Sequence, residues 1–216
     1  METITSKRLH RRDFEKMALA AAWPASLALL AGSGHTAGIA FAQSNDGAAT
    51  PMLAPTPQCG DEDDLEATVP QTAGPFYTPS SPERRSLLEA GMNGRRLSVS
   101  GFVYSTDCQP IPRALLDFWQ ADDAGVYDNV GYRLRGHQIA DHEGRFELET
   151  IVPGLYPGRT RHIHVIVQAP NGPVLTTQLY FPGEPANGTD GIFDPALVMD
   201  VAEETDAEAA FFTFVL

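Results

Sequence analysis

At 216 residues the chain has room for one full-sized domain and a leader, not for two domains of ordinary size. Abundant Gly and Pro favour turns and short strands over long helices, and the formal charge is −13. Both lysines, Lys7 and Lys16, fall within the first 42 residues, so the remainder has no lysine for Schiff-base chemistry or for a phosphate-binding loop.

Arg11-Arg12-Asp13-Phe14-Glu15-Lys16 is a twin-arginine pattern followed by an apolar run from Met17 to Ala31, and Ala40-Phe41-Ala42 places small residues where a signal peptidase reads them. Residues 1–42 are read as a twin-arginine signal peptide cleaved before Gln43, which implies a periplasmic or extracellular protein. The alternative is a membrane anchor, but the run is shorter than the roughly 20 residues of a spanning helix, and no stable membrane insertion is expected after cleavage. Cleavage removes five cations and three anions and leaves 10 cations against 25 anions. A surface that acidic argues against nucleic acid and anionic membrane as partners. Cys59 and Cys108 lack metal-site spacing; in an oxidising compartment they can close a long loop as a disulfide, two separate thiols being the alternative.

Residues 43–70 are rich in Ala, Pro and acids, lack periodicity, and read as a linker or an arm lying over the domain. The irregular, aromatic stretch from Gln71 to Pro79 opens a domain covering residues 71–216. Ser81 as cap and Pro82 at the first position predict a short helix to Ala90. Strands are then predicted over Arg96–Tyr104, Ala114–Gln120, Tyr132–Gln138, Arg145–Ile151, His162–Val167, Pro173–Phe181 and Phe211–Val215, each bounded by turn residues. This pattern predicts an all-β fold, an antiparallel β-sandwich of about seven to eight strands with long active-site loops.

The fifth of these strands carries the clearest chemical signal. Side chains alternate faces along a strand, so His162 and His164 point one way and Ile163 and Val165 the other. Two imidazoles so spaced can hold a metal; they fit equally one buried polar histidine and one surface histidine. Tyr156 precedes them in a Pro-Gly turn and Tyr127 follows an earlier strand edge, where each also fits a structural corner role. Arg133, Arg135 and Arg161 read as solvated or ion-paired, His137 and His142 as exposed.

Three spaced segments change the balance. Asp117-Phe-Trp-Gln-Ala-Asp-Asp-Ala-Gly-Val-Tyr127, Thr150-Ile-Val-Pro-Gly-Leu-Tyr156-Pro-Gly-Arg159-Thr-Arg-His162-Ile-His164 and Thr177-Gln178-Leu-Tyr180-Phe together resemble the intradiol ring-cleavage dioxygenases, the catechol, hydroxyquinol and protocatechuate enzymes. The resemblance runs from about Gln71 to Phe181. It implies a non-haem ferric iron, Fe(3+), held by Tyr127, Tyr156, His162 and His164. It also implies an active-site arginine at Arg159, an active-site glutamine at Gln178, and substrate contacts that include Phe76 and Tyr77. The implied substrates are a small aromatic ortho-diol and O2, and the implied product is a cis,cis-muconic acid from cleavage between the hydroxylated carbons. By the same resemblance Tyr156 is the ligand that substrate displaces, and Arg159 stabilises carbanion-like charge on the ring. Such a ligand set suits a hard trivalent ion, since two phenolates and a hydroxide offset its charge. Gly158 and Phe76 depart from the protocatechuate pattern, predicting a more open pocket without a hydroxyl at position 76. A long helical dimerisation segment is lacking, and a homo-oligomer is left open. Two rivals share parts of the pattern: a non-enzymatic transthyretin-like exported binding module, and a zinc hydrolase built on His-x-His.

Overall fold

The computed structural model describes residues 65–203 and 205–216, so the predicted leader, most of the arm and Cys59 lie outside the described residues. Eight strands form two four-stranded sheets. One has the order β4-β1-β8-β7, made by Arg145–Ile151, Arg96–Tyr104, Ala207–Val215 and Asp200–Glu203. The other has the order β3-β2-β5-β6, made by Arg135–Ile139, Leu115–Trp119, His162–Gln168 and Val174–Tyr180.

Alternation decides which side chains enter the space between the sheets. Leu97, Val99, Phe146 and Leu148 come from the first sheet; Leu116, Phe118, Ile163, Val165, Val167 and Leu179 come from the second. All are buried, and their removal from water is the main favourable term holding the two layers together. Every strand pair is antiparallel except β1 with β8, which run parallel from Arg96↔Ala207 to Tyr104↔Val215. The last strand enters between β1 and β7, and its direction follows from the antiparallel turn it makes with β7. Strand β7 escaped the sequence reading because Asp200–Glu203 is polar and largely exposed, leaving no apolar alternation to read.

The helix predicted over Ser81–Ala90 does not form. Its backbone is drawn instead into both sheets: Arg84 N–H donates to His137 O and Leu87 N–H to Glu149 O, while His137 and Glu149 return bonds to Pro82 and Arg85. Ser81, expected as the helix cap, is buried and donates its hydroxyl to Asp117 (2.6 Å). The segment is a strap joining the β3 edge of one sheet to the β4 edge of the other, where sheet hydrogen bonds override local helix propensity. The same strap half-buries His137, expected to be exposed, with its Nδ1 2.7 Å from Ser81 O. Arg135, read as solvated or paired, is buried, and its guanidinium donates to Asp128 O.

Upstream of the strap, Leu65, Thr68 and Gln71 bond to Thr106, Val215 and Thr176, tying the chain down before it crosses the outer face of the second sheet. It then passes β6 at Gln178, β5 at His164 and β2 at Trp119, through Thr72, Gly74 and Tyr77 respectively. Residues 71–81 thus roof the face of the sheet that points away from the core. The strap is expected to belong to the cooperative unit. Leu87, fully buried beneath it, should cost about 2–5 kcal/mol on Leu87→Ala in urea unfolding; a loss below about 1 kcal/mol would place the strap outside that unit.

Candidate metal centre

The roofed face holds the chemistry. With Ile163 and Val165 in the core, His162 and His164 of β5 project to the other side, both buried. Sheet register sets their neighbours: His164 lies between Trp119 of β2 and Gln178 of β6, and His162 lies opposite Tyr180. Trp119 stacks on the His164 ring, centroids 4.8 Å apart and 3° from parallel, and Tyr77 packs on the far side of the indole.

Tyr127 and Tyr156 arrive from two separate turns that lock together. Gly125 and Gly154 both donate their N–H to Asp122 O. A Cβ on Gly125 would lie 2.2 Å from Leu155 O, and one on Gly154 2.4 Å from Asp123 O, so this contact needs glycine on both sides. Asp122 also accepts the N–H groups of Ala124 and Val126, closing the turn that aims Tyr127.

The result is a crowd of donor atoms. Tyr127 Oη is 3.1 Å from His162 Nε2, which is 3.2 Å from His164 Nε2. Atoms each about 2 Å from one ion sit roughly 3 Å apart, so these three fit a common metal. The Tyr156 ring lies 5.9 Å from that of Tyr127, edge to face. His162 Nδ1 is 2.6 Å from Thr160 O and donates to it, which leaves Nε2 with its lone pair towards the cluster. His164 Nδ1 makes no hydrogen bond of good geometry, although the Thr72 backbone lies near it. Among the described residues no three His, Cys, Asp or Glu side chains surround one point, so a metal here needs the tyrosines.

Electrostatics suit a cation. Burial depresses the His162 pKa to about 4 and that of His164 well below its ordinary value, so both imidazoles are neutral at pH 7. Burial also raises the Tyr127 pKa, partly offset by Arg159 and Arg135, so its phenol ionises only when a bound cation compensates. Donor types agree with a hard, highly charged ion: phenolate oxygen with neutral imidazole.

Phe76 stacks on Tyr127 (4.6 Å) and meets Tyr156 edge-on (5.4 Å), which places it at the centre. Tyr77 stands one layer back, with its hydroxyl on Asp117 (3.2 Å). Arg159 donates through Nε to Asp190 (2.9 Å) and through Nη2 to Gln178 (2.6 Å), whose amide bonds Thr72 O in turn. Arg161 donates to Glu184 and to Pro153 O, outside the donor cluster. Among the described residues, apart from its chain neighbours, no atom stands within 4 Å of where a Cβ on Gly158 would sit. Cys108 is disulfide-bonded; its expected partner, Cys59, lies outside the described residues.

Four contributors escaped the sequence reading: Asp190, Tyr180, Thr160 and the stacking role of Trp119. Strand register would have exposed Trp119 and Tyr180, since both face the histidines once β2, β5 and β6 are aligned. A cavity of about 340 Å³ lined by Gln120, Asp122, Val126, Tyr127, Asp128, Arg133 and Leu134 touches the cluster only through Tyr127. The converging donors, not this cavity, make the candidate site.

Burying two neutral histidines fixes a pH dependence. The unfolded chain takes up protons near pH 6.5 and the folded His162 only near 4, so stability is full above 6.5 and falls as the pH drops towards 4. The metal-free protein should lose about 3 kcal/mol from His162 alone across that window, read as a falling urea midpoint. His162→Gln should flatten the slope, and an unchanged slope would show that His162 titrates normally in the fold.

The Dioxygenase family matches residues 72–215. The chain is 28% identical over 177 residues to a catechol 1,2-dioxygenase of Acinetobacter baylyi (67% of this chain, 57% of that protein). It is 28% identical over 173 residues to a hydroxyquinol 1,2-dioxygenase of a Rhizobium species (67% and 58%). It therefore spans under two thirds of the length of these relatives. Among solved structures, it is similar to the dioxygenase domain of a dioxygenase carbohydrate-binding protein fusion from Streptomyces sp. SirexAA-E. That match has TM-score 0.69 and 55% identity, covering 70% of this chain and 98% of that one. With the family matched across both sheets and the whole donor cluster, the chain belongs to the intradiol dioxygenase family.

Proposed function

We propose that this protein is a non-haem ferric intradiol dioxygenase that cleaves a catechol-type ortho-diol between its hydroxylated carbons, with O2, to a cis,cis-muconic acid. The observation that carries the reading is the convergence of Tyr127 Oη, His162 Nε2 and His164 Nε2 within 3.1–3.2 Å steps, with the Tyr156 ring edge-on to that of Tyr127. Tyr127, Tyr156, His162 and His164 would hold the iron. Bound there, the ion would supply Lewis-acid activation of the diol towards O2.

The chain's own residues divide the remaining work. Tyr127 is buried, stacked under Phe76 and bonded to His162, so it stays in place. Tyr156 is half-exposed and held by edge-on ring contacts, which makes it the tyrosine free to swing out; its oxygen accepts one phenolic proton of the incoming diol. Phe76 supplies an apolar surface for the ring. Arg159 presents a fixed positive charge beside the cluster, where negative charge develops on the ring. The roof from Gln71 to Ser81 limits water on this face of the sheet.

A transthyretin-like carrier has no use for three buried donors converging beside a second tyrosine, and a zinc hydrolase lacks a carboxylate beside them among the described residues. The proposal extends to the parts outside the described residues. Residues 1–42 are a twin-arginine leader, which carries folded, metal-loaded proteins, and the mature protein works outside the cytoplasm; Cys59 bridges Cys108.

The iron-loaded protein is expected to show a visible phenolate-to-ferric absorption band and to consume O2 with catechol, giving a muconate. Tyr127→Phe should abolish or strongly shift the band, and Arg159→Ala should keep it while lowering kcat by about 100- to 1000-fold. A colourless protein carrying zinc, or a yellow semialdehyde product, would contradict the assignment.

A further inference from the structure

The loop after β6 sends one carboxylate into the site from a distance. Asp190 lies beyond the short 3-10 turn Pro185–Gly188, and its side chain is 2% exposed. Its Oδ2 accepts two bonds, from Arg159 Nε and from Thr160 N–H, both 2.9 Å, and its Oδ1 accepts from Ile192 N–H (3.1 Å). The same turn sends Asn187 Oδ1 to the Thr160 hydroxyl (2.6 Å), while the Asn187 amide holds Phe181 O. Thr160 is fully buried, and its carbonyl accepts the proton of His162 Nδ1.

Two functional groups thus meet at one anion. On one side Asp190 fixes the Arg159 guanidinium, whose Nη2 reaches Gln178 and, at 3.4 Å, the Tyr180 hydroxyl. Among the described residues Arg159 Nη1 makes no hydrogen bond and remains for a substrate. On the other side Asp190 holds the N–H of Thr160, and the carbonyl of the same residue, in the next peptide group, accepts from His162 Nδ1 and so sets that ring's tautomer and tilt. Burial opposes ionisation of Asp190, but the N–H groups of Thr160 and Ile192 and the Arg159 charge outweigh it, and its pKa is lowered.

We propose that Asp190 is a positioning residue that holds the Arg159 side chain and, through the backbone of Thr160, the His162 ring in mutual register. A neutral side chain there releases the guanidinium and loosens the peptide behind the histidine. The proposal rests on the dioxygenase reading for its kinetic consequences, and on the hydrogen bonds alone for its structural ones.

The test uses the full-length protein with Asp190→Asn, Arg159→Gln and the double variant. Asp190→Asn is expected to lower kcat for catechol by about 10- to 100-fold, the scale of a small misplacement in a preorganised site, with KM changed less. In the Arg159→Gln background the same substitution should cost several-fold less than in the wild type, the part that remains being the one that passes through Thr160 to His162. Asp190→Glu, which keeps the charge, should recover most of the loss, and it serves as the second variant if Asp190→Asn does not fold. A readout independent of turnover is the Arg159 Nε–H proton in NMR of the substrate-free protein: protected in the wild type, exchanging rapidly in Asp190→Asn. Equal losses in both backgrounds, or an Nε–H equally protected in Asp190→Asn, would overturn the proposal. A wild type that fails to turn over catechol while its Nε–H shows the expected change would overturn the dioxygenase reading and leave the positioning role standing.

Discussion

Strand β5 does two jobs with one alternation, and the site depends on that. Ile163, Val165 and Val167 are clamped in the core between the sheets, so rotating the strand to move the histidines would expose three buried apolar side chains. His162 and His164 are therefore held on the outer face by the hydrophobic effect acting on their neighbours. What that face would lose to water is restored by the roof: Thr72, Gly74, Phe76 and Tyr77 cover it from β6 to β2. Burial by this roof keeps the imidazoles neutral and the Tyr127 phenol protonated without a cation. A buried polar cluster of this kind is costly when empty, so on the proposed reading a bound metal would stabilise the fold as well as supply the chemistry.

The other groups of the site reach β5 through turns that depend on small residues and on two aspartates. Asp122 organises the Tyr127 turn and, through its carbonyl, the glycine contact with the Tyr156 turn. Asp190 organises the Arg159–Thr160 corner from the other end of the site. The asymmetry between the tyrosines follows: one is boxed in by Phe76 and His162, the other stands at the rim. On the proposed reading, that difference in confinement would separate a permanent ligand from an exchangeable one.

How much of this could be read from the chain varies with the range of the interaction. Strands β1 and β4 were legible to the residue, because each alternates cleanly between core and solvent. Strand β7 was not, since a short polar edge strand carries no periodic signal. The strap over Ser81–Ala90 has local helix chemistry, but its hydrogen bonds are made with Glu149 and His137, more than 50 residues away, and no local rule sees them. The histidine pair was visible from spacing alone. Tyr127 was visible as its partner only through the family resemblance, because 35 residues separate it from His162. Asp190 stayed hidden for the same reason: it sits in an irregular loop 31 residues from the arginine it holds, with no motif around it.

The central claim is that Tyr127, Tyr156, His162 and His164 form one ferric site on the roofed face of the second sheet. It is tested most directly by locating the metal in crystals of the iron-loaded protein with anomalous diffraction at the iron edge. The account predicts a single strong peak about 2 Å from the Tyr127 and Tyr156 hydroxyl oxygens and from Nε2 of both histidines. A peak bound by the histidines without either tyrosine, or one lying away from β5, would contradict it.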